Sequence, residues 1–80
     1  MSADDTILII PVLRRSRLRY HVARVQAAEN FAEPSWTTGF VRGAQSFTCD
    51  LSQARRMAHD MDRQEPTEYG VRQLIYAVYA

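Results

Sequence analysis

The run Thr6-Ile7-Leu8-Ile9-Ile10-Pro11-Val12-Leu13 is aliphatic and β-branched almost throughout. It is too short for a typical helix and contains Pro11. It therefore reads as a strand buried on both faces at its centre, with Pro11 at an edge or a bulge. That is a demanding element for a small chain. A domain of 80 residues buries only a little over ~60% of the surface that its unfolded form exposes.

The length fits a single domain over residues 1–80, without room for a cleft between domains. An apolar share of 46% permits an ordinary core. Two histidines and one cysteine exclude a disulfide framework and leave too few ligands for a structural zinc site. The unpaired Cys49 suits a reducing cytoplasm. No apolar run approaches the ~18 residues of a membrane span, and the acidic start Ser2-Ala3-Asp4-Asp5 has the wrong charge for a signal peptide. The expectation is a cytoplasmic protein with no membrane partner, no metal and no cofactor.

After the first strand, Arg14-Arg15-Ser16-Arg17 is a polar break that can turn the chain. The alternation from Leu18 to Val25 predicts a second strand. Leu18, Tyr20 and Val22 share one face, and Arg17, Arg19 and His21 share the other. Residues 27–35, with Asn30 and Pro34, read as a loop. Residues 36–47 alternate as a third strand that Gly39 and Gly43 weaken.

Asp50-Leu51-Ser52-Gln53 supplies an acidic N-cap and a glutamine three residues later, a variant of the capping box. Leu51, Ala54, Met57, Ala58 and Met61 then recur at helical spacing. Ser52, Arg56, His59 and Arg63 fall opposite them at ~100° per residue. The helix should stop near Gln64, before Glu65-Pro66. Residues 70–80 fit either a helical stripe or a strand, and their Val, Ile and Tyr content after Gly70 favours the strand. The expected fold class is α+β: a small antiparallel sheet of about four strands, in the order β-β-β-α-β, with one helix packed on one face.

All ten basic residues are arginine. Five of them, Arg14, Arg15, Arg17, Arg19 and Arg24, crowd into a stretch without a single acid. The formal net charge is only +1, so the basicity is local. A coding bias would account for arginine over lysine, but not for the clustering. The planar guanidinium grips phosphate or carboxylate bidentately, so such a cluster suits an anionic partner. The plainer account is a solvated strand whose charges keep a sheet edge from aggregating. On the helix, Arg55, Arg56, His59 and Arg63 could extend the same surface, although Asp60 and Asp62 dilute it and Asp60 can pair with Arg56.

His21 and His59 have no acid partner in the local sequence and read as surface residues. Cys49 reads as a structural thiol. The tyrosines and Trp36 read mostly as core or half-core, with one or two tyrosines exposed at an interface. No nucleophile elbow, P-loop, zinc-protease, paired-cysteine or paired-carboxylate pattern is present, so no catalytic residue is predicted and the chain reads as a non-enzyme.

The run Asp50-Leu51-Ser52-Gln53-Ala54-Arg55-Arg56-Met57-Ala58 resembles part of a family of small phage-encoded anti-CRISPR proteins that act on type I systems. There a Leu-Ser-Gln-Ala-Lys-Arg run lies on a helix that follows a β-hairpin. The resemblance implies a non-enzymatic inhibitor that binds the Cascade surveillance complex and blocks recognition of target DNA. It also implies that Arg55 and Arg56 match a basic pair touching Cas subunits or DNA. Two other functions fit the residues: a small nucleic-acid-binding protein, or an oligomer-forming protein whose segment 70–80 pairs between copies as a homodimer.

Overall fold

The computed structural model describes residues 5–26, 47–48 and 50–79. The loop expected at residues 27–35, nearly all of the strand expected at 36–47, Trp36 and Cys49 lie outside the described residues.

Strand β1 (Thr6–Arg14) and strand β2 (Arg17–Val25) form an antiparallel hairpin in register, from Thr6 opposite Val25 to Arg14 opposite Arg17. Helix α1 (Leu51–Gln64) follows, then two short strands, β3 (Val71–Gln73) and β4 (Val78–Tyr79). The strand expected over residues 70–80 is thus present only as these two short pieces, with residues 74–77 interrupting it. Both β3 and β4 run parallel to β1 along its second edge, so the sheet is mixed and not antiparallel.

The reason lies in where the helix ends. Arg24 donates to the carbonyl of Glu65 at 2.7 Å and ion-pairs with Asp5 at 3.2 Å. The helix C-terminus is therefore held beside the start of β1. A strand that begins there and follows β1 can only run in the same direction.

Pro11 sits in the central strand, opposite a break in the edge strand. Ile7 donates to Gly70 and Ile9 accepts from Leu74, both at 2.9 Å, so the odd residues of β1 direct their backbone groups toward β3. Pro11 would be the next donor in that series and has none. The edge strand leaves the ladder there and rejoins at Val78 opposite Val12.

β1 is covered on both sides, as its sequence requires. Leu8, Ile10 and Val12 pack with Val25, Leu74, Val78 and Phe47. On the other face, Ile7 and Ile9 meet Ala54 and Ala58 of α1, flanked by Tyr20, Val22, Leu51 and Met61. The two alanines are fully buried and let the helix approach the sheet closely. Met57, placed in the apolar stripe by spacing, is instead 40% exposed at the stripe's margin.

Asp50 caps the helix by accepting from the Ser52 N–H at 2.9 Å. Gln53 does not complete the box. The Thr48 hydroxyl donates to Gln53 Oε1 at 2.7 Å and accepts from the Asp50 N–H at 3.3 Å. Thr48 is itself fixed by two backbone hydrogen bonds to Tyr20, on the outer edge of β2. Glu65 closes the last turn onto Met61, and Pro66 follows.

Candidate anion-docking hairpin tip

Because the hairpin stays in register to its end, alternation decides what the tip presents. Arg14 faces Arg17, Val12 faces Arg19 and Ile10 faces His21, all on the face away from α1. Like charges directly opposite one another on a sheet are destabilising. The two linking residues, Arg15 and Ser16, have φ of 52° and 65°. This is the conformation of a two-residue hairpin turn that favours Asn-Gly, and here neither position is occupied by either residue. Left-handed backbone costs roughly 1–2 kcal/mol per ordinary residue. Charge repulsion and backbone strain therefore fall on the same four residues.

Arg14, Arg15, Arg17 and Arg19 are all exposed, and none forms an ion pair with a described carboxylate. Phe47 serves as the platform for Arg14. The Arg14 guanidinium lies 5.3 Å from the centre of its ring, and the His21 ring stands 5.5 Å away, tilted at 48°. A recess of about 20 Å³ between Val12, Arg14, Arg19 and Phe47 brings both arginines to one rim. A guanidinium held over an aromatic face keeps its donors free at the edges, where a carboxylate or phosphate can be gripped.

The other predicted arginines go elsewhere. Arg24 points to the helix side, where it binds Asp5 and approaches Glu65 Oε2 at 3.8 Å. Arg63 pairs with Asp60 at 3.6 Å, displacing the expected pairing with Arg56. Arg55 and Arg56 are exposed on α1, across the sheet from Arg14, Arg17 and Arg19. The basic residues thus do not form one continuous surface. Among the described residues, only the tip brings more than two of them together.

Phe47 was not singled out by sequence reasoning. It is far from Arg14 along the chain, and no local spacing joins them. Among the described residues no group of three or more His, Cys, Asp or Glu is arranged to hold a metal ion. Likewise, no helix there is long and apolar enough to cross a membrane.

No family model, curated protein or solved structure matches this chain.

Proposed function

We propose that this chain is a non-enzymatic docking module that grips an anionic partner through the tip of its β1–β2 hairpin. One observation carries the reading: Arg14 opposes Arg17 across a strained Arg15–Ser16 turn, and no described carboxylate relieves them. A partner that supplies negative charge offsets both costs, and only when bound. Unfavourable local choices gathered at one exposed place point to function rather than to folding.

The narrower reading is an inhibitor of a type I CRISPR surveillance complex that acts in the bacterial cytoplasm and blocks target DNA. It rests on the resemblance of residues 50–58 alone. Within that run Leu51, Ala54 and Ala58 serve helix packing, which leaves Arg55 and Arg56 as its exposed basic residues. Pairing between copies along the sheet edge is poorly supported, because the two short strands and the break between them blunt that edge.

The test is a binding titration with oligothymidylate, polyglutamate and a purified type I surveillance complex over a salt series. Four arginines engaging phosphates give a slope of log K against log salt near ~−3 on a single strand. The double variant R15E/R17E should abolish binding of every anionic probe while the fold survives. Binding unchanged by that variant, or no affinity for any of the three at low salt, overturns the proposal.

A further inference from the structure

The alternation that builds the hairpin tip also brings two of its guanidinium groups to one small recess. Val12 pairs with Arg19 and Arg14 pairs with Arg17, so Arg14 and Arg19 are diagonal neighbours on the face away from α1. Diagonal side chains on paired strands stand about 7–8 Å apart, within reach of a shared ligand. Both line the recess of about 20 Å³ whose other walls are Val12 and Phe47. A space of ~10–15 Å³ holds one water, so only a single small group can enter. The apolar walls donate no hydrogen bonds, and recognition falls to the two guanidiniums at the rim. The apolar row of Leu18, Leu13 and Tyr79 lies on the opposite, helix-side face and takes no part.

We infer that this rim binds the terminal phosphate monoester of a nucleic acid strand. The inference rests on the docking function proposed above and names its ligand. A carboxylate is planar, and one guanidinium fork occupies both of its oxygens. A phosphate monoester carries three terminal oxygens and a charge of about −1.5 to −2 near neutral pH, so forks can reach it from two directions. An internal phosphodiester has fewer free oxygens and a single charge. Position favours a strand end as well. From the turn, the basic row runs through Arg17 to Arg19. It then meets His21, whose ring lies against Phe47, and the half-buried Ala23. The described arginines of that row therefore stop at the recess.

Arg15 and Arg17 decide what the phosphate is attached to. Neither has a described ion-pair partner, and both lie beyond the recess toward the turn. A nucleic acid strand carries a phosphate at every residue, so one that ends at Arg14 and Arg19 brings further negative charge past them. A phosphorylated protein does so only where acids flank the modified residue. Free phosphate never does.

The test titrates the isotopically labelled full chain, by NMR, with oligothymidylate bearing a 5′-phosphate, a 3′-phosphate or hydroxyls at both ends. A phosphoserine peptide and inorganic phosphate complete the set. At least one terminally phosphorylated form should bind about tenfold or more tighter than the hydroxyl form, a difference of about 1.4 kcal/mol or more. It should also shift the amides of Val12, Arg14, Arg19 and Phe47 further.

Arg14→Gln and Arg19→Gln, both at exposed side chains, should each remove that preference. Arg19→Lys should remove most of it, since the charge stays but the fork is lost. R15S/R17S should weaken all three oligonucleotides by a similar factor and leave the preference in place. Equal affinity for phosphorylated and hydroxyl ends overturns the inference and leaves the docking proposal standing. So does a preference that survives both Arg14→Gln and Arg19→Gln. Tighter binding of the phosphoserine peptide overturns it in favour of a phosphorylated protein. Inorganic phosphate that binds as tightly as the oligonucleotide overturns it in favour of a free anion. No affinity for any of these probes or for polyglutamate overturns both proposals.

Discussion

The base and the tip of the β1–β2 hairpin use arginine in opposite ways. At the base, Arg24 is held by Asp5 and by the Glu65 carbonyl. Around it the chain is tied by further hydrogen bonds. The Glu68 and Tyr69 N–H groups donate to the Asp5 side chain and carbonyl, at 3.1 and 3.2 Å. The Gly70 carbonyl accepts from the Ile7 N–H at 2.9 Å and from the Thr6 hydroxyl at 2.7 Å. At the tip, Arg14, Arg15, Arg17 and Arg19 have no described acid, and the turn beneath them is strained. The same side chain is a structural clamp where acids converge and a free binding group where none do. Clustering in sequence does not separate the two roles; the position of acids distant along the chain does.

The largest expected contrast is in packing. Ile9→Ala removes a fully buried side chain from beneath α1. It should cost about 2–5 kcal/mol of unfolding free energy by urea denaturation. Leu18→Ala, on the same face but beyond the helix, should cost less than about 1 kcal/mol because that side chain is already half in water. Similar losses at the two sites would mean that the apolar row at the tip is covered.

Ion pairing should divide the ends next. Arg24→Ala leaves Asp5 and Glu65 without their cation, and partial exposure limits the loss to about 1 kcal/mol. Arg17→Thr has the opposite sign. It relieves a directly opposed pair and should stabilise by a few tenths of a kcal/mol. Destabilisation by Arg17→Thr would show that the tip arginines already have a partner within the chain.

The backbone supplies a matched pair of tests. Gly70 has φ +70° with open space where a Cβ would project, so Gly70→Ala isolates the conformational cost, about 1 kcal/mol. Ser16→Gly makes the reverse change at the tip and should stabilise by up to about 1 kcal/mol. If Ser16→Gly weakens polyanion binding while raising the thermal midpoint, the strain belongs to the docking geometry and not to a tolerated flaw.

The elements were legible where a local period decides them. The burial of Thr6–Val12 on both faces, the helix from Leu51 to Gln64 and the placement of Arg17, Arg19 and His21 on one face all follow from spacing. The direction of β3 and β4 was not legible, because alternation is identical in parallel and antiparallel strands. What fixes it is Arg24 reaching Glu65, 41 residues away. Leu18 shows the same limit. Alternation groups it with Tyr20 and Val22, yet a helix of 14 residues spans only about 21 Å against about 30 Å for a nine-residue strand. Something must be left uncovered, and the docking of Thr48 on Tyr20 decides that it is the tip. Phe47 beneath Arg14 is likewise a tertiary fact with no local sign.

The smallest effect concerns acid. Asp62 accepts from the Thr67 hydroxyl at 2.6 Å and from the Thr67 N–H at 2.9 Å, bracing the link between α1 and β3. Those hydrogen bonds, the hydroxyl first, hold its carboxyl below the ordinary value of 3.8. Because the folded value is the lower one, the stability that Asp62 contributes is present above the unfolded carboxylate range and is lost as pH falls through the folded value. Unfolding followed from neutral pH into that acid range should therefore show a small decline that Asp62→Asn removes. Thr67→Val should diminish it, because the hydroxyl is the leading cause while the N–H remains. R15S/R17S, altered only at the tip, should retain the decline of the parent chain. A decline unchanged in Asp62→Asn would show that the Asp62–Thr67 hydrogen bonds do not carry the acid sensitivity of this link.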